Sequence, residues 1–79
     1  MNNMKDLIQQ KMYDALSLKY KSEIAECEAT LLIYINNSVG IGEHPQQIEE
    51  MDKLIEKLAA AKDKLHNLDE VFAFHLNKF

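Results

Sequence analysis

The sequence has no arginine, and all nine of its basic residues are lysines. A lysine ammonium group lacks the planar fork with which a guanidinium group binds a phosphate or carboxylate at two points. The absence of arginine therefore excludes bidentate capture of an anion. Any anionic ligand must be held by lysine side chains or backbone N–H groups.

Cysteine is scarce as well, because Cys27 is the single cysteine of the chain. One cysteine excludes an intrachain disulfide and fits a reducing compartment. Cys27 falls on the apolar face of a predicted helix, where a thiol is unreactive. We therefore predict a core thiol and not a catalytic nucleophile.

Glycine and proline are confined to one stretch, residues 36–45, which holds Gly40, Gly42 and Pro45. Glycine and asparagine tolerate the backbone conformations that end a helix, so the chain is expected to turn here. Pro45 suits the first position of a following helix, where its missing N–H is not needed. Gln47, three residues after His44, is placed to complete a capping box.

Long apolar runs are also lacking. The longest, residues 31–35, is far too short to cross a bilayer, and the sequence does not open with a basic and then apolar leader. These absences predict a soluble cytoplasmic protein with no membrane partner.

The net charge of −4 is unevenly distributed along the chain. Residues 1–22 carry four lysines and two acidic residues, residues 23–56 one lysine and eight acidic residues, and residues 57–79 four lysines and three acidic residues. A protein that binds duplex DNA normally presents a basic face, because neutralising phosphates supplies much of its affinity. Nucleic acid polymers are therefore not expected as partners.

Residues 4–36 have helical periodicity, since apolar residues recur every three or four positions. The recurring residues are Met4, Ile8, Met12, Leu16, Tyr20, Ile24, Cys27, Leu31 and Ile35. Asn2 or Asn3 is the predicted N-cap. Steps of four drift by about 40° round a helix, which predicts a wide apolar surface. Residues 31–35 are apolar on every side, which favours burial between copies; alternatively, Ile33 and Tyr34 lie under the turn.

Residues 51–79 show a cleaner repeat, with strict alternation of three and four residues, which calls for a helical partner along its length. Its members are Met51, Leu54, Leu58, Ala61, Leu65, Leu68, Phe72, His75 and Phe79. Asn67 and Glu70 leave open a helix break near residue 67, although the repeat favours continuity.

Together these patterns predict one all-α domain over residues 1–79. It is an antiparallel two-helix hairpin with helix 1 at about 4–36, a turn at 37–44 and helix 2 at about 45–77. A lone hairpin of 79 residues has only a seam in place of a core, so we expect a homo-oligomeric helical bundle, a dimer or higher.

The turn is the first candidate ligand site. Glycines before a helix N-terminus can present free N–H groups to a phosphate, and neighbouring polar side chains can read a sugar or base. The candidate residues are Asn36, Asn37, Ser38, Gly40, Gly42 and His44. The alternative is that these residues only cap and connect the helices.

The second candidate site is a group of lysines near the middle of the hairpin. Lys57 and Lys62, with Lys19, Lys21 and Lys64, are expected at similar heights, and grooves between copies would gather them over Tyr13 or Tyr20. The alternative is a solvated face stabilised by ion pairs such as Glu49 with Lys53.

No metal, cofactor or catalytic constellation is predicted. His66 and Glu70 form a pair and not a site, and His75 occupies a seam position. An enzyme is therefore not expected.

The stretch from Tyr34 to Pro45, with its V-G-I-G-E-H-P turn before the Ile48, Met51, Leu54 and Leu58 helix, resembles short proteins of tailed bacteriophages. Phage proteins of this size include homo-oligomeric sponges that sequester nucleotide signals of host immunity. The resemblance implies a non-enzymatic protein of the host cytoplasm that binds a small nucleotide-type molecule between its subunits. The alternative is a helical module that docks on and inhibits a host or phage protein.

Overall fold

The computed structural model describes residues 3–36 and 45–77, which form two long helices. Helix α1 spans Met4–Asn36 and helix α2 spans Pro45–Asn77. Contacts of Tyr13 with Phe72 and of Tyr20 with Lys64 show that the helices run antiparallel. The predicted all-α hairpin is confirmed, whereas its assembly into an oligomeric bundle stays a prediction. The turn predicted at residues 37–44 lies outside the described residues.

The N-terminus of α1 is capped by Asn3. Its side-chain Oδ1 accepts a hydrogen bond of 2.9 Å from the Asp6 N–H, and its carbonyl accepts one of 3.1 Å from the Leu7 N–H. These bonds satisfy donors that a helix start leaves without partners. Of the two predicted caps, Asn3 is therefore the residue that acts.

The seam between the helices is thin. Among the described residues, those buried are Ser17, Cys27, Leu31 and Ala61. On α1 the half-buried tyrosines 13, 20 and 34 and Ile24 share the seam with them, at alternating steps of four and three. On α2 the predicted repeat from Met51 to His75 is buried or half-buried throughout, while Phe79 lies outside the described residues. The prediction of a core thiol at Cys27 is confirmed, since this residue is 1% exposed.

The N-terminal half of the predicted α1 stripe does not face α2. Met4, Ile8, Met12 and Leu16 are exposed in the single chain, by 69%, 51%, 59% and 38%, and we call them the apolar ridge. Residues four apart rotate steadily round the helix and cannot all follow one straight seam. Tyr13 and Ser17 take the seam positions instead, because their spacing keeps them facing α2.

Other apolar side chains are also exposed, as the wide surface predicted for α1 requires. They are Leu7, Leu18, Leu32, Ile33 and Ile35 on α1 and Ile48, Ile55, Val71 and Phe74 on α2. Neither α1 nor α2 has the uninterrupted apolar length that a membrane crossing requires.

Helix α2 is continuous through residue 67. The Asn67 amide donates hydrogen bonds to the carbonyl and side-chain oxygens of Asp63, at 2.8 and 3.2 Å. Because Asn67 bonds backwards within the helix and does not cap a new one, the alternative of a break does not occur.

The charge differs between the two ends of the hairpin. The open half, residues 4–20 and 64–77, carries four lysines and four acidic residues. The joined half, residues 21–36 and 45–63, carries four lysines and eight acidic residues. The described part of the joined half is therefore the acidic end of a molecule about 60 Å long.

Candidate functional site

The middle of the hairpin brings a lysine and an aromatic ring together. The Lys64 Nζ lies 5.8 Å from the centroid of the Tyr20 ring, within the range of a cation–π contact. Tyr20 is held by its seam position on α1, and Lys64 projects from the neighbouring turn of α2. One of the predicted aromatic platforms therefore meets one of the predicted lysines.

An open cleft of about 330 Å³ adjoins this contact. Its lining residues are Tyr20, Asp63, Lys64, Asn67, Leu68 and Val71. Ligand pockets usually enclose 300–1,000 Å³ and cover most of their ligand's surface. This cleft is open to solvent, so a single chain does not enclose a ligand there.

Lys57 and Lys62 do not share one face of the hairpin. They are five residues apart, which places them about 140° apart round α2. The Lys57 Nζ lies 3.8 Å from a Glu26 oxygen, and the Lys62 Nζ lies 4.0 Å from a Glu28 oxygen. The structure brings each lysine to a different carboxylate of α1 and does not bring the two lysines together.

These ion pairs are exposed and weak, because solvated pairs contribute only about 0–1 kcal/mol. The solvated pairs expected on the helix faces are thus present at two of the candidate lysines. The pair expected between Glu49 and Lys53 is formed instead by Glu50, whose oxygen lies 3.5 Å from the Lys53 Nζ.

Tyr13, the other predicted platform, is already engaged. Its hydroxyl donates a 2.6 Å hydrogen bond to Asp69, and its ring meets the Phe72 ring edge-on at 5.1 Å. The hydrogen bond to the Asp69 carboxylate raises the pKa of Tyr13, against an opposing hydrogen bond with Ser17. Tyr13 therefore ties the two helices together, and Tyr20 is the better platform for a ligand.

Ser17 is the polar seam residue that the apolar pattern missed, and the pattern also missed Tyr13 and Tyr34. It is 3% exposed although its side chain is polar. Its position, four after Tyr13 and three before Tyr20, continues the alternating repeat of the α1 seam. The alternating spacing of the seam identifies Ser17, whereas a search for apolar residues does not.

Most of the candidate residues at the turn lie outside the described residues. Asn36 is the exposed last residue of α1, whereas Asn37, Ser38, Gly40, Gly42 and His44 fall in the undescribed stretch. The buried Oε1 of Gln47 has no hydrogen-bond partner among the described residues. The capping box with His44 therefore stays a prediction.

The described residues contain no group of three or more histidine, cysteine, aspartate or glutamate side chains able to hold a metal ion. His66 and Glu70 do pair, with 2.9 Å between Nε2 and Oε1. His75 borders a small cleft with Gln9, Val71 and Phe72 on the open half.

Comparisons with known proteins identified no relative of the chain. No protein-family model matches it, and no curated protein or solved structure matches it significantly.

Proposed function

We propose that this is a non-enzymatic phage protein that assembles with copies of itself and sequesters a small nucleotide-type signal of host immunity. The Tyr20–Lys64 cleft is the observation that supports this proposal, because it combines an aromatic ring and a cation in a groove that a single chain leaves open to solvent. The bacteriophage resemblance of the turn supplies the class of ligand.

The Tyr20 ring and the Lys64 ammonium group suit a small anionic nucleotide, whereas the Asp63 carboxylate in the same cleft opposes an anion. A nucleobase can stack on the exposed part of an aromatic side chain, and an ammonium group can neutralise one phosphate. Lys57 lies seven residues before Lys64, hence on the same face of α2, and can supply a second positive charge if its exposed ion pair with Glu26 opens. A long polyanion is disfavoured, because the joined half beyond Lys57 carries an excess of acidic residues.

Calorimetry with the purified full chain tests the proposal. Cyclic ADP-ribose isomers and cyclic dinucleotides are titrated separately, and at least one is expected to bind. The Lys64→Ala variant should bind that ligand about 10-fold or more weakly, since a charge-assisted hydrogen bond contributes about 1.5–3 kcal/mol.

The matched control is Lys53→Ala, which removes a lysine from the same helix about three turns away. Its affinity should equal that of the native chain. If none of these compounds produces heat when titrated, this ligand class is excluded. Equal losses of affinity in the two variants would exclude the Tyr20–Lys64 cleft as the site.

The runner-up function is a module that docks on another protein. The exposed Leu32, Ile33, Ile35 and Ile48 of the joined half favour it, because they lie beside the acidic surface. Stoichiometric recovery of one host or phage protein from infected lysate, lost in a Leu32→Lys variant, would distinguish it from ligand sequestration.

A further inference from the structure

The apolar ridge on the open half forms a continuous strip with no partner within the described chain. Its members, Met4, Ile8, Met12 and Leu16, are one helical turn apart, so that their side chains adjoin. Tyr20 continues the ridge by one further step of four. Val71 of α2, 64% exposed, lies on the same side, because it lines clefts with both Gln9 and Tyr20.

The accessible surface of the chain is large for its mass. A compact monomer of 9.1 kDa has an accessible surface of about 4,900 Å². This chain has 6381 Å², an excess of roughly 1,500 Å² over that compact value. Each partner in a standard interface contributes about 800 Å². The hairpin therefore exposes more surface, relative to a compact monomer, than one partner contributes to a standard interface.

The distribution of charge selects the arrangement of two copies. The described open half is electrically balanced, whereas the described joined half has four more acidic residues than lysines. Contact through the ridge in an antiparallel sense places the two acidic halves at opposite ends of the assembly. A parallel arrangement would instead set the acidic halves side by side, where like charges repel.

The geometry points to a specific interface: the ridge binds the ridge of a second copy about a twofold axis near Ile8 and Met12, with the hairpins antiparallel. Rows of side chains four residues apart interlock when two helices cross, which is the packing that such a ridge permits. This inference rests on the self-assembly in the proposed function and adds its surface and direction. It also places the Tyr20–Lys64 cleft at the margin of the interface.

Sedimentation equilibrium of the full chain tests the surface. We expect the native chain to have twice its 9.1 kDa monomer mass at micromolar concentration, and the Ile8→Lys, Met12→Lys double variant to be monomeric. Circular dichroism should show equal helix content, because both side chains are exposed in the hairpin. The matched control Leu32→Lys, also at an exposed apolar position, should remain dimeric.

The two ways of failing are distinguishable. A dimer that survives in the double variant but dissociates in Leu32→Lys would overturn the ridge interface and leave self-assembly intact. A native chain that is a folded monomer would overturn both the ridge interface and the self-assembly. The ridge would then be a surface for binding a different protein.

Disulfide trapping tests the direction of packing in a Cys27→Ala background. Antiparallel ridges place Met4 of one copy near Leu16 of the other, so a mixture of Met4→Cys and Leu16→Cys chains should form mixed disulfide dimers. The two Leu16→Cys positions would be roughly 18 Å apart along the helices, too far for a disulfide. Efficient linking of Leu16→Cys chains to each other would show a parallel dimer and overturn the proposal.

Discussion

Small side chains occupy the most buried points of the seam. Cys27 and Ala61 are each 1% exposed, on α1 and α2 respectively, so the helices approach closely near the middle of the hairpin. Close approach fixes side-chain rotamers and leaves little volume for a larger residue. At the residue scale, close packing therefore limits the size of the side chains that this thin seam can hold at Cys27 and Ala61.

Enlarging Ala61 is therefore expected to destabilise the hairpin. Ala61→Leu should lower the free energy of unfolding by about 1–3 kcal/mol, because the added atoms force the helices apart. Ala60→Leu, at the exposed neighbouring position, should change it by less than about 0.5 kcal/mol. Urea unfolding at one fixed protein concentration measures both, and equal effects would show that Ala61 is not tightly packed.

The candidate site was only partly predictable at this scale. Tyr20 and Lys64 meet as their heights in an antiparallel hairpin suggest. Height along the hairpin alone groups Lys57 with Lys62, although their five-residue spacing separates them round the helix. The hydrogen bond from Tyr13 to Asp69 depends on the rotation of each helix about its axis, which a list of apolar residues does not determine.

At the scale of the element, the two helices differ in how plainly their sequences reveal the contact face. The α2 repeat alternates three and four residues and packs as predicted from Met51 to His75. The α1 sequence holds two competing patterns, because the ridge has apolar residues at steps of four while the seam includes the polar Ser17. The alternating seam pattern of α1 lies along α2, because an average step of 3.5 residues keeps side chains facing a neighbouring helix.

The start of α1 provides an element-scale prediction. Asn3→Ala removes the acceptor of the Asp6 N–H and should cost about 0.5–2 kcal/mol of stability. Asn3→Ser keeps a capping oxygen and should retain the native value within a few tenths of a kcal/mol. Thermal unfolding followed by circular dichroism measures the difference, and an unchanged Asn3→Ala protein would contradict the capping role.

At the scale of the whole molecule, the elongated shape determines how much apolar surface is exposed. A hairpin about 60 Å long exposes many apolar side chains that a rounder protein of the same length would bury. Self-association and stability should therefore be linked, because a partner that binds only the folded chain shifts the folding equilibrium by mass action.

The temperature of unfolding should accordingly rise with protein concentration. For a folded dimer that separates into unfolded chains, each 10-fold increase adds about 1.4 kcal/mol per dimer, or roughly 3–5 °C. The Ile8→Lys, Met12→Lys variant should show no such rise. Differential scanning calorimetry at several concentrations measures the effect, and a constant unfolding temperature in the native chain would contradict assembly.

The link from Tyr13 to Asp69 spans 56 residues of chain, whereas Lys57 and Glu26 are separated by about half as many. Shorter loops close at lower entropic cost, with about 0.6 kcal/mol for each doubling of length. The contacts of the joined half should therefore form first during folding, and the helix ends in the open half should be the first to unfold. A second copy bound to the open half would stabilise the part of the hairpin that forms last.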